Sequence, residues 1–366
     1  MTRLASLVLA ASLLVASAVA ALAQAPGAAA APPPLPAGVE RPLEVRMSVR
    51  VLNVTRIQEV QSEAGALVEF TQRWVDPTQR FDRVEAGAER IDWVGDEAEA
   101  RLARIWNPGV AIENQIGRPR AQTTALSIFH DGRVTLIRRV DADLRVDLGM
   151  GAFPFDHQSI ALRFSSARHP ASDVVLVTTE LDRGFSTIER NLSVTNWLAG
   201  SIAFRNETFF GWNAQPYARL VAVATVDRSW PRYILRLFVP FFALMSLSLF
   251  ILWAPDSVIS QKDRAPMIFS SLLALAALSF TFESSFPGSI SLNSPVASMI
   301  SLGYFYLPLV LLIDLMLSQT GSRLARRYPA LLPEIKRNVR VTAPLLFFGL
   351  CILLVLVSGD DAARLY

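Results

Sequence analysis

The chain is poor in two residue types that often mark a chemical function. Cysteine occurs once in 366 residues, as Cys351, so no disulfide can form within the chain. Histidine occurs only at His130, His157 and His169. The sequence also lacks the motifs of zinc proteases, CxxC sites, phosphate-binding loops and serine hydrolases. Because no nucleophile–base constellation is present either, we expect no metal, no cofactor and no enzymatic activity.

A large excess of charge is absent as well. Lys and Arg number 35 and Asp and Glu number 32, which leaves a formal net charge of +3. Such a balance does not favour a nucleic-acid partner. The chain is 52% hydrophobic and 18% charged, which is too apolar for an ordinary soluble domain and too charged for a membrane bundle alone. We therefore predict a soluble part joined to a membrane part.

The N-terminus has the pattern of a secretory signal peptide. Arg3 precedes an apolar run over residues 4–21, and Ala21-Leu22-Ala23 supplies a small-x-small cleavage pattern. We predict a signal peptide over 1–23 and an Ala/Pro-rich linker over 24–39. The domain that follows would then begin outside the cytoplasm.

Residues 40–231 have the pattern of many short strands. Val45, Met47 and Val49 alternate with polar residues, which is typical of a half-buried strand. The sequence His130-Asp131-Gly132-Arg133 between two β-rich runs predicts a hairpin. A helical pattern occurs only near residues 85–104. These features predict an immunoglobulin-like β-sandwich.

Four apolar runs follow, over about 233–253, 265–282, 296–317 and 341–357, within a predicted membrane domain of residues 232–358. The linker over 318–340 contains six basic residues and one acid, whereas residues 284–295 contain no Lys or Arg. The positive-inside rule places this short basic linker in the cytoplasm. The predicted protein is a multi-pass protein of the plasma (inner) membrane, with the sandwich and the C-terminus on the outer side.

The second apolar run carries more hydroxyl groups than the others. Six of its residues follow one another at steps of three or four, so they share one stripe of a helix. Acids flank the run at Asp263 and Glu283. A stripe of this kind suits the wall of an ion pore, although a buried bundle helix with incidental serines would show the same spacing. The stripe consists of Pro266, Ser270, Leu273, Ala277, Phe280 and Ser284.

One loop resembles the signature loop of the pentameric ligand-gated ion channels, also called Cys-loop receptors. It reads Phe153-Pro154-Phe155-Asp156 and is followed by Gln158. The two bridging cysteines of that family would fall at Val146 and Ile160, which are apolar here as in bacterial members. The resemblance implies that packing holds the loop instead of a disulfide.

Further motifs resemble the same family, in order along the chain. They are Trp74-Val75-Asp76, Ile105-Trp106-Asn107-Pro108, Arg228 before the first apolar run and Pro240 within it. The resemblance implies a homopentamer in a lipid bilayer, with a central pore and with ligand pockets between subunits. The short basic linker and the missing disulfide resemble prokaryotic members.

The resemblance also implies roles along the pore. Aligning Pro287 with the proline that follows the family's pore helix puts Leu273 at the mid-pore leucine and Asp263 at the cytoplasmic acid ring. Five leucines facing one axis would form a gate by dewetting, and five carboxylates would concentrate monovalent cations. The neighbours Lys262 and Arg264 complicate this interpretation, and Leu273 could instead be a packing residue. The candidate pore residues are Asp263, Ser270, Leu273, Ala277, Phe280 and Glu283.

A coupling cluster between sandwich and membrane is implied at Glu59, Asp156 and Arg228, next to Phe153, Pro154 and Phe155. An arginine fork can bridge two carboxylates at a buried junction. Without the resemblance, the same residues would be read as a surface ion pair contributing less than about 1 kcal/mol.

The implied ligand pocket has aromatic residues and carboxylates. Its candidate residues are Phe209, Trp212 and Tyr217 of loop C, Glu113 of loop A, Arg168 near loop B and Glu69 from the neighbouring subunit. Two aromatic faces and a carboxylate suit a small primary amine. The carboxylates could instead titrate, with the proton as the agonist. Strand aromatics are also typical of a core, so the pocket is a hypothesis.

We therefore predict a cation-selective channel opened by a small extracellular ligand at subunit interfaces. Two alternatives are a proton-gated cation channel of the same fold and a non-conducting, membrane-anchored solute sensor. Continuously apolar membrane runs would favour the sensor, and the second run does not have that profile.

Overall fold

The computed structural model describes residues 34–211, 213–255, 257–286, 294–318 and 331–364. Within these ranges, eleven strands precede four long helices. The predicted signal peptide, Trp212, Pro287 and residues 319–330 of the predicted basic linker lie outside the described residues.

The first sheet has seven strands and forms one layer of the N-terminal domain. Along the sheet the strands run β3-β5-β6-β2-β1-β8, and β9 pairs with β1. Its inner face is apolar because alternate residues, such as Val45, Met47 and Val49, point into the core. The strands are β1 (Leu43–Gln58), β2 (Glu63–Val75), β3 (Arg90–Val94), β5 (Gln115–Phe129), β6 (Arg133–Arg145), β8 (Val174–Val177) and β9 (Thr187–Ile188).

The second sheet has four strands in the order β10-β11-β7-β4. The inner faces of the two sheets meet in one core, where the rings of Phe70 and Phe164 lie 5.1 Å apart. This architecture confirms the predicted β-sandwich. The strands are β4 (Val110–Ile112), β7 (His157–Ser166), β10 (Trp197–Phe210) and β11 (Pro216–Arg228).

The helical prediction for residues 85–104 is wrong in part. A short helix, α1 (Arg83–Ala86), ends at Gly87, whose φ of +62° is left-handed and closes the turn. Strand β3 follows before helix α2 (Asp96–Leu102) begins. Strand β3 pairs with β5, so its backbone hydrogen bonds are formed within the sheet and not within a helix.

The predicted hairpin is present and depends on a glycine. Strands β5 and β6 are joined at His130-Asp131-Gly132. Gly132 has a φ of +86°, and a Cβ at this position would lie 2.7 Å from the carbonyl oxygen of Asp76. Any other residue would be strained there and would clash with the backbone.

Four helices follow, each long and apolar enough to cross a bilayer, which confirms the membrane part of the predicted fold. They are α4 (Pro231–Trp253), α5 (Gln261–Ser285), α6 (Pro295–Ser318) and α7 (Leu331–Arg364), numbered after a short helix of the sandwich, α3 (Glu180–Phe185). Helix α4 contains a π-helical turn over Ile234–Phe238. Each predicted apolar run falls on one of these helices.

A histidine is buried in the sandwich beside loop A. The ring of His169 lies 5.3 Å from that of Trp106, and its Nε2 accepts no hydrogen bond from the residues that the structure describes. Burial and the charge of Arg168 lower the pKa of His169 below its usual value of 6.5, against the attraction of Asp173. The imidazole is therefore neutral in the folded protein at neutral pH.

This burial predicts that acid weakens the sandwich. Below pH 6.5 the unfolded chain binds a proton at His169 that the folded chain does not, so stability falls as the pH falls towards the lowered pKa. Each unit of lowering corresponds to about 1.4 kcal/mol. Thermal unfolding followed by circular dichroism should show a smaller loss between neutral and acid pH in His169→Gln than in the wild type. His130→Gln, at the hairpin, is the control, and an unchanged pH profile in His169→Gln would contradict the assignment.

Candidate functional site

A buried guanidinium lies at the junction between the sandwich and the membrane helices. Arg228 ends β11, and its Nε and Nη2 donate to both oxygens of Asp156 over 2.7 and 3.0 Å. The Nη2 also donates to Glu59 in the β1–β2 turn over 3.0 Å. The side chains of Arg228 and Asp156 are only 3% and 2% exposed. The structure thus brings the three predicted coupling residues together as a buried, bidentate cluster.

Aromatic rings surround the same guanidinium. Its central carbon lies 4.2 Å from the ring centre of Trp197 and 4.9 Å from that of Phe153. Its Nη1 donates to the hydroxyl of Tyr233, in the first turn of α4, over 3.2 Å. These contacts hold the charge by cation–π attraction as well as by hydrogen bonds.

The ion pair keeps Arg228 charged despite its burial. Burial on its own would lower the pKa of the guanidinium, but hydrogen bonding and attraction from Asp156 raise the pKa above its ordinary value. Gln158 completes the cluster, because its amide donates to Asp156 over 2.6 Å and to the carbonyl of Gly149 over 2.7 Å. These bonds close the signature loop across its base.

The two phenylalanines of that loop reach the membrane helices. Phe153 is fully buried, with its ring 5.3 Å from both Tyr233 and Phe286, at the start of α4 and the end of α5. Phe155 packs against Trp230 and Phe238, and the Phe153–Pro154 peptide bond between them is cis. The loop therefore contacts the entry to one membrane helix and the exit of the next.

Packing also replaces the family's disulfide. Val146 and Ile160, at the positions of the two cysteines, are both buried in the sandwich core. This agrees with the expectation that apolar contact holds the loop.

Helix α5 has one packed face and one exposed face. Its buried residues, which include Ile268, Ser271 and Leu275, pack against α4 and α6. On the opposite side, Leu273 is 73% and Phe280 is 75% exposed. All of the candidate pore residues are exposed: Asp263, Ser270, Leu273, Ala277, Phe280 and Glu283. Within one subunit the stripe therefore faces away from the other membrane helices.

One of the two basic residues next to Asp263, Arg264, is turned away from that stripe. Arg264 is buried, and its Nη1 donates to Asp314 of α6 over 2.8 Å while its Nη2 donates to the carbonyl of Ala254 over 2.7 Å. Asp263 stays exposed and accepts a hydrogen bond from Ser260. The positive charge of Arg264 is thus neutralised inside the bundle.

The predicted ligand face already holds a cation from the chain itself. Arg219 donates from Nε and Nη2 to Glu113 over 2.8 and 2.5 Å. The guanidinium lies 4.1 Å from the ring centre of Phe209, whose ring is 5.8 Å from that of Tyr217. Three predicted residues therefore come together, but the space between carboxylate and ring is filled by Arg219.

The remaining ligand candidates lie apart from this group. Glu69 is on the first sheet, where its carboxylate accepts from Arg50 over 3.1 Å and from Arg139 over 2.8 Å. Arg168 lies against Gly109 of loop A. Trp212 is outside the described residues.

Two residues of these ion pairs were not predicted from the sequence: Arg219, which pairs with Glu113, and Asp314, which pairs with Arg264. Arg219 follows Tyr217 by two residues on β11, so strand alternation places both on the same face of the strand. Asp314 is the only charged residue of α6, and an acid within an apolar run calls for an intramembrane partner. Both signals were readable in the sequence.

Comparison with known proteins points to one family. A family model described as the neurotransmitter-gated ion-channel ligand binding domain matches residues 33–228. The serotonin-gated chloride channel mod-1 of Caenorhabditis elegans is 23% identical over 266 residues, which is 71% of this chain and 50% of that protein. The proton-gated ion channel subunit pbo-6 of the same organism is 20% identical over 260 residues, or 69% of this chain and 58% of that protein.

The human neuronal acetylcholine receptor subunit alpha-5 is 18% identical over 306 residues, covering 82% of this chain and 62% of that subunit. The chain thus spans between half and under two thirds of the length of these relatives. One of these relatives is named as a chloride channel and another as a proton-gated ion channel subunit.

The junction cluster generates a direct prediction. Arg228→Ala should destabilise the protein by about 3–5 kcal/mol, because it leaves Asp156 buried without its partner. Arg228→Lys should rescue only part of this loss, since an ammonium cannot form the two-pronged contact. The measurement is the apparent unfolding temperature in detergent. Arg232→Ala, at the same junction but exposed, is the control, and equal stability of Arg228→Ala and wild type would contradict the cluster's role.

Proposed function

The chain belongs to the pentameric ligand-gated ion channels, and from this premise we propose that five copies form a cation-selective channel opened by a small amine bound between subunits. One observation supports conduction above all. Helix α5 leaves a stripe of small, hydroxyl and bulky apolar residues exposed while its opposite face packs in the bundle. Five such stripes around one axis would line a pore.

Leu273 is the proposed gate. It is the large apolar residue in the middle of the exposed stripe, with Ser270 one turn before it and Ala277 one turn after it. A ring of five leucines between smaller residues would form a dry constriction, which blocks ions without filling the pore. Phe280 would form a second apolar ring nearer the outer end.

The placement of charge on α5 supports the proposed cation selectivity. Its first turn contains Lys262, Asp263 and Arg264, and pairing with Asp314 removes Arg264 from the exposed face. Asp263 and Lys262 remain exposed there, and Glu283 is exposed at the other end of the helix. We propose that the Asp263 ring faces the cytoplasmic mouth and the Glu283 region the outer mouth, with the sandwich outside the plasma membrane.

The junction cluster is the proposed route from ligand to pore. Strand β11 carries Arg219 near its start and Arg228 at its end. A ligand that shifts the first part of β11 would therefore act on the strand that also holds the buried guanidinium. From there Phe153 contacts both Tyr233 and Phe286, so movement of the loop would reach α4 and α5 together.

Arg219 supports an amine as the ligand class. Its contacts support a site for an organic cation at Glu113 and Phe209, because a guanidinium already binds there through a carboxylate and an aromatic face. An external amine must displace this internal cation. The competition lowers apparent affinity, so opening would need abundant ligand.

Proton gating is the second candidate. His157 Nδ1 lies 2.5 Å from Asp227 Oδ1. His157 follows Asp156 in the chain and Asp227 precedes Arg228, so both are next to residues of the cluster. Imidazole is the side chain whose charge changes most readily between pH 5 and 8. A change of charge here would act directly beside the coupling cluster, and one relative carries the name of a proton-gated channel subunit.

Selectivity can be tested on the purified full chain in planar bilayers with asymmetric NaCl. The wild-type reversal potential should lie near the sodium equilibrium potential. Asp263→Asn should lower the sodium-to-chloride permeability ratio by about tenfold, which corresponds to about 1.4 kcal/mol of lost attraction. Glu334→Gln removes one acid per subunit outside α5 and should leave the ratio unchanged. A wild-type reversal at the chloride potential would refute cation selectivity.

The ligand class can be tested by recording the current evoked by propylamine and by phenethylamine. The current evoked by steps of pH is recorded separately. Arg219→Gln should lower the half-activating amine concentration by about tenfold, because the site loses its internal competitor. Glu113→Gln should abolish the amine response. Arg183→Gln is the control, since Arg183 pairs with Glu180 of helix α3 and not with Glu113.

Two outcomes would contradict the amine proposal. If Arg219→Gln abolishes activation while Glu113→Gln preserves it, the guanidinium binds the ligand and the agonist is an anion. If neither substitution changes the amine response but His157→Gln flattens the response to acid, the proton is the agonist.

A further inference from the structure

A cavity of about 630 Å³ opens on the outer face of the first sheet, within a single subunit. Its floor is formed by the start of β1, the end of β2 and the start of β6, and helix α3 forms one wall. None of the junction, pore or Glu113 residues lines it. Its volume lies in the ordinary range for small-molecule sites.

Six charged residues line the cavity, three of each sign: Glu40, Glu44, Asp182, Arg46, Arg73 and Arg133. Three of the six are engaged by neighbouring side chains. Arg73 donates to Asp182 over 2.5 Å, and Asp182 also accepts from Thr179 in the capping box of α3. Arg133 pairs with Asp131 over 2.7 Å.

The other three have no side-chain hydrogen bond or ion pair among the residues that the structure describes. They are Arg46, Glu44 and Glu40, which are one cation and two anions. Arg46 and Glu44 are two residues apart on the same outward face of β1, about 6.6 Å along the strand. The cavity therefore presents opposite unpaired charges at a short separation.

The strand register brings a second positive charge close to Arg46. It lies directly opposite Arg73 in the antiparallel pairing of β1 with β2. Like charges at such a position are about 5 Å apart at Cβ and destabilise a sheet. Asp182 neutralises Arg73 from one side, and an anion bound at Arg46 would relieve the remaining repulsion.

The wall opposite these charges is apolar. Leu181 and Phe185 of α3 line the cavity and are 68% and 54% exposed, and Val75 of β2 lies beside them. Exposed apolar surface next to unpaired charges of both signs is complementary to a molecule with a charged end and an apolar end.

We propose that this cavity binds a small zwitterion with an apolar side chain, of the apolar α-amino acid class. The carboxylate binds Arg46, the ammonium group binds Glu44 and Glu40, and the side chain covers Leu181 and Phe185. The site does not depend on the proposed channel activity, because all of its residues belong to one subunit.

The test uses isothermal titration calorimetry with three probes of one aromatic body, on the purified full chain carrying Glu113→Gln so that the proposed interface site does not bind the amine probe. L-phenylalanine carries both charges, 3-phenylpropionate only the carboxylate and phenethylamine only the amine. L-phenylalanine should bind about tenfold more tightly than either single-charge probe, because each lost charge–charge contact corresponds to about a factor of ten.

Matched variants assign each contact. Arg46→Gln should weaken L-phenylalanine and 3-phenylpropionate about tenfold and leave phenethylamine unchanged, whereas Glu44→Gln should weaken L-phenylalanine and phenethylamine instead. Phe185→Ala should weaken all three. Arg183→Gln is the control, because Arg183 lies on the same helix but pairs with Glu180 and does not line the cavity.

Several results would overturn the proposal. Equal affinity for the three probes would show that their charged groups do not contribute to binding. Binding unaffected by Arg46→Gln would place the site elsewhere. No binding of any probe would also refute it. Glu113→Gln should leave the Arg46-dependent binding intact, so failure of the interface pocket and failure of this cavity are distinguished.

Discussion

The structure depends most on the buried guanidinium of Arg228. A charge at this depth is tolerable only because Asp156, Glu59, Tyr233 and two aromatic rings surround it. Those partners come from the β1–β2 turn, the signature loop, strand β10 and the first turn of α4. One side chain therefore links the sandwich to the first membrane helix.

Two other arginines are neutralised in the same way, and each changes the meaning of its neighbourhood. Pairing of Arg264 with Asp314 removes a positive charge from the exposed face of α5, where it would have offset the negative charge of Asp263. Pairing of Arg219 with Glu113 fills a site that otherwise looks ready for an organic cation. In both cases the local sequence shows a charge, and only its partner shows whether that charge acts on solvent, ions or ligand.

Much of the fold was predictable because the signals are periodic and local. Alternation along β1, the Asp131-Gly132 turn and the four apolar runs each depend on neighbouring residues. The region over residues 85–104 was the exception, because strand β3, which pairs with β5, lies there between two short helices. The membrane stripe was predictable for the same reason as the strands: steps of three and four residues define one side of a helix.

By itself the sequence determined the two-part architecture and the helical face that carries Ser270, Leu273 and Ala277, since these follow from periodicity. The residues at the junction were named only through the resemblance to a known family. The tertiary structure alone decided which charges are paired. Arg264 and Asp314 are fifty residues apart, and Arg219 and Glu113 more than a hundred, so no local pattern links them. The cavity beside α3 is of the same kind, because its unpaired Arg46 and Glu44 become a candidate site only once a distant helix has folded over them.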